Sequence, residues 1–270
     1  MTALTAPPDR LTARLWTDAP AFTALALLIA LTMVPVLAAM ALDARQFGGE
    51  DIWLKPLKFH IALVIYLVTL SVFARWMTPT QREGRLWRGF VALVCLCVLA
   101  ELVWIGGAAA LGTGSHFNLS SPIWETLYSL MGLAAVTLTS ASLVMGLAIW
   151  RNPATGLAPA LKLSVVLGLI LTFVLTVITA GYMASTTGHY VGTPVTGERL
   201  PILGWSREVG DLRVGHFLAT HALHGLPLVG LVAARMGEPA GRGVVWAAAA
   251  GYAALVLGTF AQAIAGMPLI

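Results

Sequence analysis

The sequence predicts an all-α integral membrane protein: a bundle of seven transmembrane helices, N-terminus inside and C-terminus outside. Three observations predict it. Of 270 residues, 58% are hydrophobic and only 10% charged, and mean hydropathy is +0.84. A soluble domain carries about 25% charged residues, so this chain has too little charge to cover a soluble surface. Second, the apolar residues are gathered into seven runs long enough to cross about 30 Å of hydrocarbon. Third, the basic residues between the runs are unequally shared between alternate sides, which is how membrane topology is written in sequence. The net charge of +4 therefore reports orientation, and nucleic acid is not an expected partner.

Residues 1–20 are polar, hold Arg10 and Arg14, and read as a cytoplasmic N-terminal tail. A single seven-helix domain follows over 21–266. Its first run, Ala21 to Leu42, suits a span better than the shorter apolar core of a signal peptide. Ala39-Met40-Ala41 resembles a cleavage site, which leaves removal of this segment as an alternative. Six more runs lie at about 56–74, 89–111, 122–150, 160–183, 214–234 and 243–266. The longest connection, 184–212, is rich in Gly, Thr and Pro. A connection of that length in a compact bundle is often a lid or the wall of a site. Cys95 and Cys97 share one run and point about 200° apart on a helix, so they cannot pair with each other.

With the N-terminus inside, ten of the 16 Lys and Arg fall inside and six outside. The outer six are Arg45, Lys55, Lys58, Arg199, Arg207 and Arg213. All six histidines then fall on the outer side. His60 is near the outer end of the second run, His116 and His189 are in outer connections, and His216, His221 and His224 are in the outer half of the sixth run. On a continuous helix His221 lies about 12 Å below Arg213, and Glu101 about 15 Å below the outer end of the third run. Glu101 is the one carboxylate deep in an apolar run. Such groups are costly in lipid and usually mark a site, so a histidine is its expected partner and proton acceptance or catalysis its expected role.

Three chemistries fit this set. A b-type haem needs one or two axial imidazoles from spanning helices. His216, His221, His224, His116 and His60 are the candidate ligands, with Lys55, Lys58 and Arg213 as cations for the propionates. A non-haem zinc, copper or iron site would combine two or three histidines with Glu101, although no HExxH string is present. A transporter or binding protein for an anion or lipid headgroup would use Lys55, Lys58 and Arg213 for charge, with Glu101 and His221 as a proton relay. Haem or another redox-active metal leads, with electron transfer or membrane oxidoreduction as the activity. The lipid bilayer, a quinone or protein redox partner, and a second copy of the chain are its expected partners. The Trp residues near both ends of the runs read as interfacial belts. Gly106–Ala110 and Ala247–Gly251 read as close helix packing.

Lys55 and Lys58 stand in WLKPLKF (53–59), His116 in GSHFN (114–118), and Asp211, Arg213, His216 and His221 in GWSREVGDLRVGHFLATHAL (204–223). These strings resemble a family of uncharacterised bacterial multi-pass membrane proteins, from the second run to the sixth. The resemblance implies a bacterial inner-membrane location and singles out Lys55, Lys58, His116, Asp211, Arg213, His216 and His221. It brings no activity or cofactor. The last run has no lysine for a retinal Schiff base, which argues against a rhodopsin.

Overall fold

The computed structural model describes residues 8–186 and 188–270. The start of the expected polar tail, residues 1–7, lies outside them. The described remainder of the tail is helix α1 (Pro8–Asp18), which the sequence reading did not anticipate.

The chain is mostly helical and membrane-embedded. Six helices are long and apolar enough to cross a bilayer: α2 (Pro20–Leu42), α3 (Leu54–Phe73, continued by a 3₁₀ turn to Trp76), α5 (Arg85–Ala110), α6 (Pro122–Arg151), α7 (Pro159–Ala184) and α10 (Ala240–Ile264). A seventh is present if α8 (Arg213–Thr220) and α9 (Ala222–Ala233) count as one span, for they meet at a 50° bend. Leu31 is 61% exposed and Val34 67% exposed on α2. Apolar side chains bared over that length need lipid rather than water against them.

The chain forms two compact units, divided between Ala141 and Ser142. In the first, α2, α3 and α5 pack pairwise around buried Phe22, Ile29, Leu67, Leu70, Val94 and Ile105. The short helix α4 (Pro79–Glu83) opens with a capping box between Thr78 and Gln81, and its Arg82 binds Asp18 at the end of α1. In the second unit α7 packs on α8, α9 and α10, and α10 packs on α8 and α9. Leu169, Leu223 and Leu226 fill that core. Small residues let α7 and α9 approach closely. A Cβ on Gly168 would lie 3.0 Å from the Ala222 carbonyl oxygen, and one on Gly230 would overlap the Ser164 side chain.

Each unit uses the same order of parts. α2 leads into an antiparallel hairpin, β1 (Gln46–Phe47) with β2 (Glu50–Asp51), and then into α3. α7 leads into β3 (Tyr190–Val191) paired with β4 (Gly210–Asp211), and then into α8. Gly48 and Gly49 both have positive φ, 61° and 76°, as a two-residue hairpin turn of this kind requires. Each second strand ends in an aspartate, followed by a buried apolar residue, Ile52 or Leu212. In each case the aspartate Oδ1 accepts the amide N–H two residues on, from Trp53 at 2.8 Å and from Arg213 at 3.0 Å. His60 comes nine residues after Asp51, and His221 ten residues after Asp211.

Candidate functional site

The sixth run is not one continuous helix, so residues before and after its middle do not share one helical register. Pro227 does not mark the break, because it lies inside α9, which continues past it to Ala233. The chain breaks at His221, which closes α8 and opens α9 with φ −103° and ψ 3°. A break leaves backbone groups without intrahelical partners, and at membrane depth those must be satisfied by protein. Here they are. The Leu223 N–H donates to Thr172 Oγ1 at 2.8 Å, and the Tyr252 hydroxyl donates to the Leu218 carbonyl at 2.7 Å. Neither polar neighbour was recognised from sequence.

The three histidines sit around this break. His221 Nδ1 is 2.7 Å from the Phe217 carbonyl oxygen. A carbonyl only accepts, so Nδ1 carries the hydrogen, and in the neutral ring the lone pair is then on Nε2. The ring stacks on Phe217 at 4.1 Å, and Trp205 meets Phe217 edge-on at 5.4 Å. His216 Nδ1 is 3.2 Å from Thr179 Oγ1. With its own hydrogen on the Leu175 carbonyl at 2.9 Å, that hydroxyl accepts from His216 Nδ1, and in the neutral ring the His216 lone pair is then on Nε2. His224 has its ring centroid 5.4 Å from that of His221. The structure therefore brings His221 and His224 together.

Arg213, expected as a cation for a ligand, is engaged by the protein. Its Nε donates to Asp211 Oδ1 at 2.9 Å, and its Nη2 to Asp211 Oδ2, the Gly204 carbonyl and the Tyr190 hydroxyl. Asp211 is only 1% exposed and also accepts the Ser206 N–H. This clamp draws the ends of the 184–212 connection onto the start of α8. Glu208 pins its far turn, accepting the N–H groups of Val195, Thr196 and Glu198 and the Thr196 hydroxyl. Those bonds hold its carboxyl down at about 2, backbone donors from Thr196 and Val195 foremost.

In the first unit His60 repeats the His221 arrangement. It is 5% exposed, with Nδ1 2.7 Å from the Pro56 carbonyl oxygen, so Nδ1 carries a hydrogen, and in the neutral ring the lone pair is on Nε2. Lys55 and Lys58 lie in the first turns of α3, Lys55 exposed and Lys58 half-buried. His116 lies between Phe59 and Tyr128, each ring 5.9 Å away, with Ser115 Oγ 3.0 Å from its Nδ1. Glu101 is 3% exposed on α5. Asp43 at the end of α2 is held well below the usual carboxylate range by Arg45 and then by the Trp53 indole N–H. Arg45 also reaches the Ala110 carbonyl at the end of α5.

Comparison with protein-family models, curated proteins and solved structures finds no match.

The candidate residues thus belong to two sets. Lys55, Lys58, His60, Glu101 and His116 lie in the first unit, and Arg213, His216, His221 and His224 in the second. Among the described residues, no group of three His, Cys, Asp or Glu side chains is arranged to hold a bare metal ion.

Proposed function

We propose that this chain is a bacterial inner-membrane redox protein that binds a b-type haem on its periplasmic side, with His221 as the leading axial ligand. The observation that carries the reading is that Nδ1 of His60, His216 and His221 each meets a protein oxygen. In the neutral ring, an Nδ1–H donated there leaves the lone pair on Nε2. Ligating histidines have this form, the outer hydrogen bond fixing the tautomer and ring orientation. A porphyrin brings four nitrogens of its own and needs one or two imidazoles. A bare zinc or copper ion needs three or four protein ligands. Paired and single histidines therefore favour haem over a non-haem ion. Bound haem would supply one-electron chemistry, with a quinone or a protein as the exchange partner. His216 and His60 are the next candidate ligands, ahead of His116 and His224. Lys55 and Lys58 offer positive charge at the outer end of α3.

The test is ligand substitution in protein made in haem-replete cells. His221→Ala should lower the bound haem per chain at least about tenfold, in line with losing a ligand or its support. Phe217→Leu should leave it bound. Haem retained in full by His216→Ala, His221→Ala and His60→Ala alike contradicts the reading.

A second reading has its own observation. Broken spanning helices line the solute sites of many transporters, and the α8–α9 break has its freed backbone groups held by Thr172 and Tyr252. On this reading the histidines bind or relay protons for a small anion, and no haem is found. Ligand-dependent thermal stabilisation, screened with phosphate and small carboxylates, separates the two.

A further inference from the structure

Glu101 is unlike the other acidic residues of the protein. Asp18, Asp43 and Asp211 each bind an arginine, and Glu208 is held by hydrogen bonds. Glu101 lies in the middle of α5, 3% exposed, and its Oε2 has no hydrogen-bond partner among the described residues. A bare carboxylate oxygen at that depth is expensive, whereas the neutral acid costs much less.

The charged neighbours are few. From α3, Lys55 is the group whose charge acts on Glu101; the same helix carries Lys58 and His60. On its own helix Cys97 is one turn earlier. The span of α2 contains no ionisable side chain. α4 bears Arg82 and Glu83 but precedes the start of α5, and Glu101 lies about 24 Å further along that helix. One turn onward, at a spacing that shares a face, Trp104 donates its indole N–H to the Ser115 carbonyl at 2.8 Å. Ser115 adjoins His116 in the outer connection, so this part of α5 is tied to the watery side by short polar links.

We propose that Glu101 is a reversible proton-binding site in the first unit. Water on the outer side delivers a proton to Oε2, converting carboxylate to acid. Release returns the proton to water and leaves an ion that the Lys55 ammonium partly compensates. The site is independent of the haem reading, because it rests on a buried orphan oxygen and not on an imidazole.

The probe is a hydrophobic carbodiimide, which reacts with protonated carboxyls in apolar surroundings. The acid proton moves to a carbodiimide nitrogen, the carboxyl oxygen bonds to the central carbon, and the adduct rearranges to a stable acylurea with nothing lost. The full chain in detergent should be labelled on the peptide containing Glu101, with Asp43 and Asp211 unlabelled as internal controls. The rate should fall about tenfold per pH unit once the acid ionises. Lys55→Met should carry labelling to higher pH, because removing the cation favours the neutral acid. Glu101→Gln should abolish it. The proposal is overturned if natively folded protein, checked by its melting temperature, is unlabelled at Glu101 between about pH 5 and about pH 9. It is equally overturned if labelling there does not change with pH. Labelling of Glu101 with the same pH dependence in the His221→Ala protein would show that the proton site stands whatever becomes of the haem.

Discussion

Asp211 has both carboxylate oxygens occupied while almost wholly buried, and that is the reason it is tolerated. Removing one partner of such a pair strands the other charge, at a cost of about 3–5 kcal/mol. Asp211→Ala should therefore lower the melting temperature in detergent and open 184–212 to limited proteolysis, whereas a change at the exposed Arg207 on the same connection, Arg207→Ala, should do neither. Glu208 works on the same segment by a different lever. Its folded-state value of about 2 lies below the ordinary 4.5, so its contribution is present above about pH 4.5 and is lost as pH falls toward 2. Protection of the Val195, Thr196 and Glu198 amides, measured against the intrinsic exchange rate at each pH, should fall over that window, and Glu208→Gln should remove this change in protection. Arg213 was recognisable in the sequence as a cation beside a histidine helix. Its engagement by Asp211, Gly204 and Tyr190 was not, because the last two partners are brought up only by the folding of 184–212. The imidazole tautomers were equally hidden, since they follow from which carbonyl or hydroxyl each ring meets.

At the scale of the element, apolar runs gave the spans to within a few residues, because lipid forces long, uninterrupted hydrophobic segments. The exception was the sixth run. Its spacing arithmetic assumed a continuous helix, yet α8 and α9 meet at a 50° bend at His221, where no proline or glycine stands to announce it. The hairpins were missed for a different reason: two-residue strands carry almost no periodicity, and only Gly48-Gly49 announced one of them. The break makes a specific prediction. Thr172→Val removes the acceptor for the Leu223 N–H and leaves it buried and unsatisfied, at a cost of about 1–3 kcal/mol. It should lower the melting temperature more than Thr259→Val, whose hydroxyl bonds only within its own helix. If the two variants melt alike, the α8–α9 break is not held by Thr172.

For the whole molecule, the predicted topology turns on whether α8 and α9 cross the bilayer together. Seven spans put the termini on opposite sides; six put them on the same side. Single cysteines placed at residue 12 and at residue 270, with Cys95 and Cys97 replaced by Ser, can be probed with an impermeant maleimide on intact cells. Only the C-terminal cysteine should be labelled; labelling of neither, or of both, would make α8–α9 re-entrant. The shared order of parts in the two units, from span to hairpin to aspartate to histidine-bearing span, was not legible as a repeat. What repeats is geometry around Asp51 and Asp211, with little identity between the flanking residues.

The central claim is that the imidazoles with bare Nε2 atoms hold haem. Its most direct test is the absorption spectrum of the detergent-purified chain from haem-replete cells, oxidised and then reduced with dithionite. The account predicts a Soret band that shifts on reduction, at close to one haem per chain. A flat visible spectrum from folded protein would contradict it.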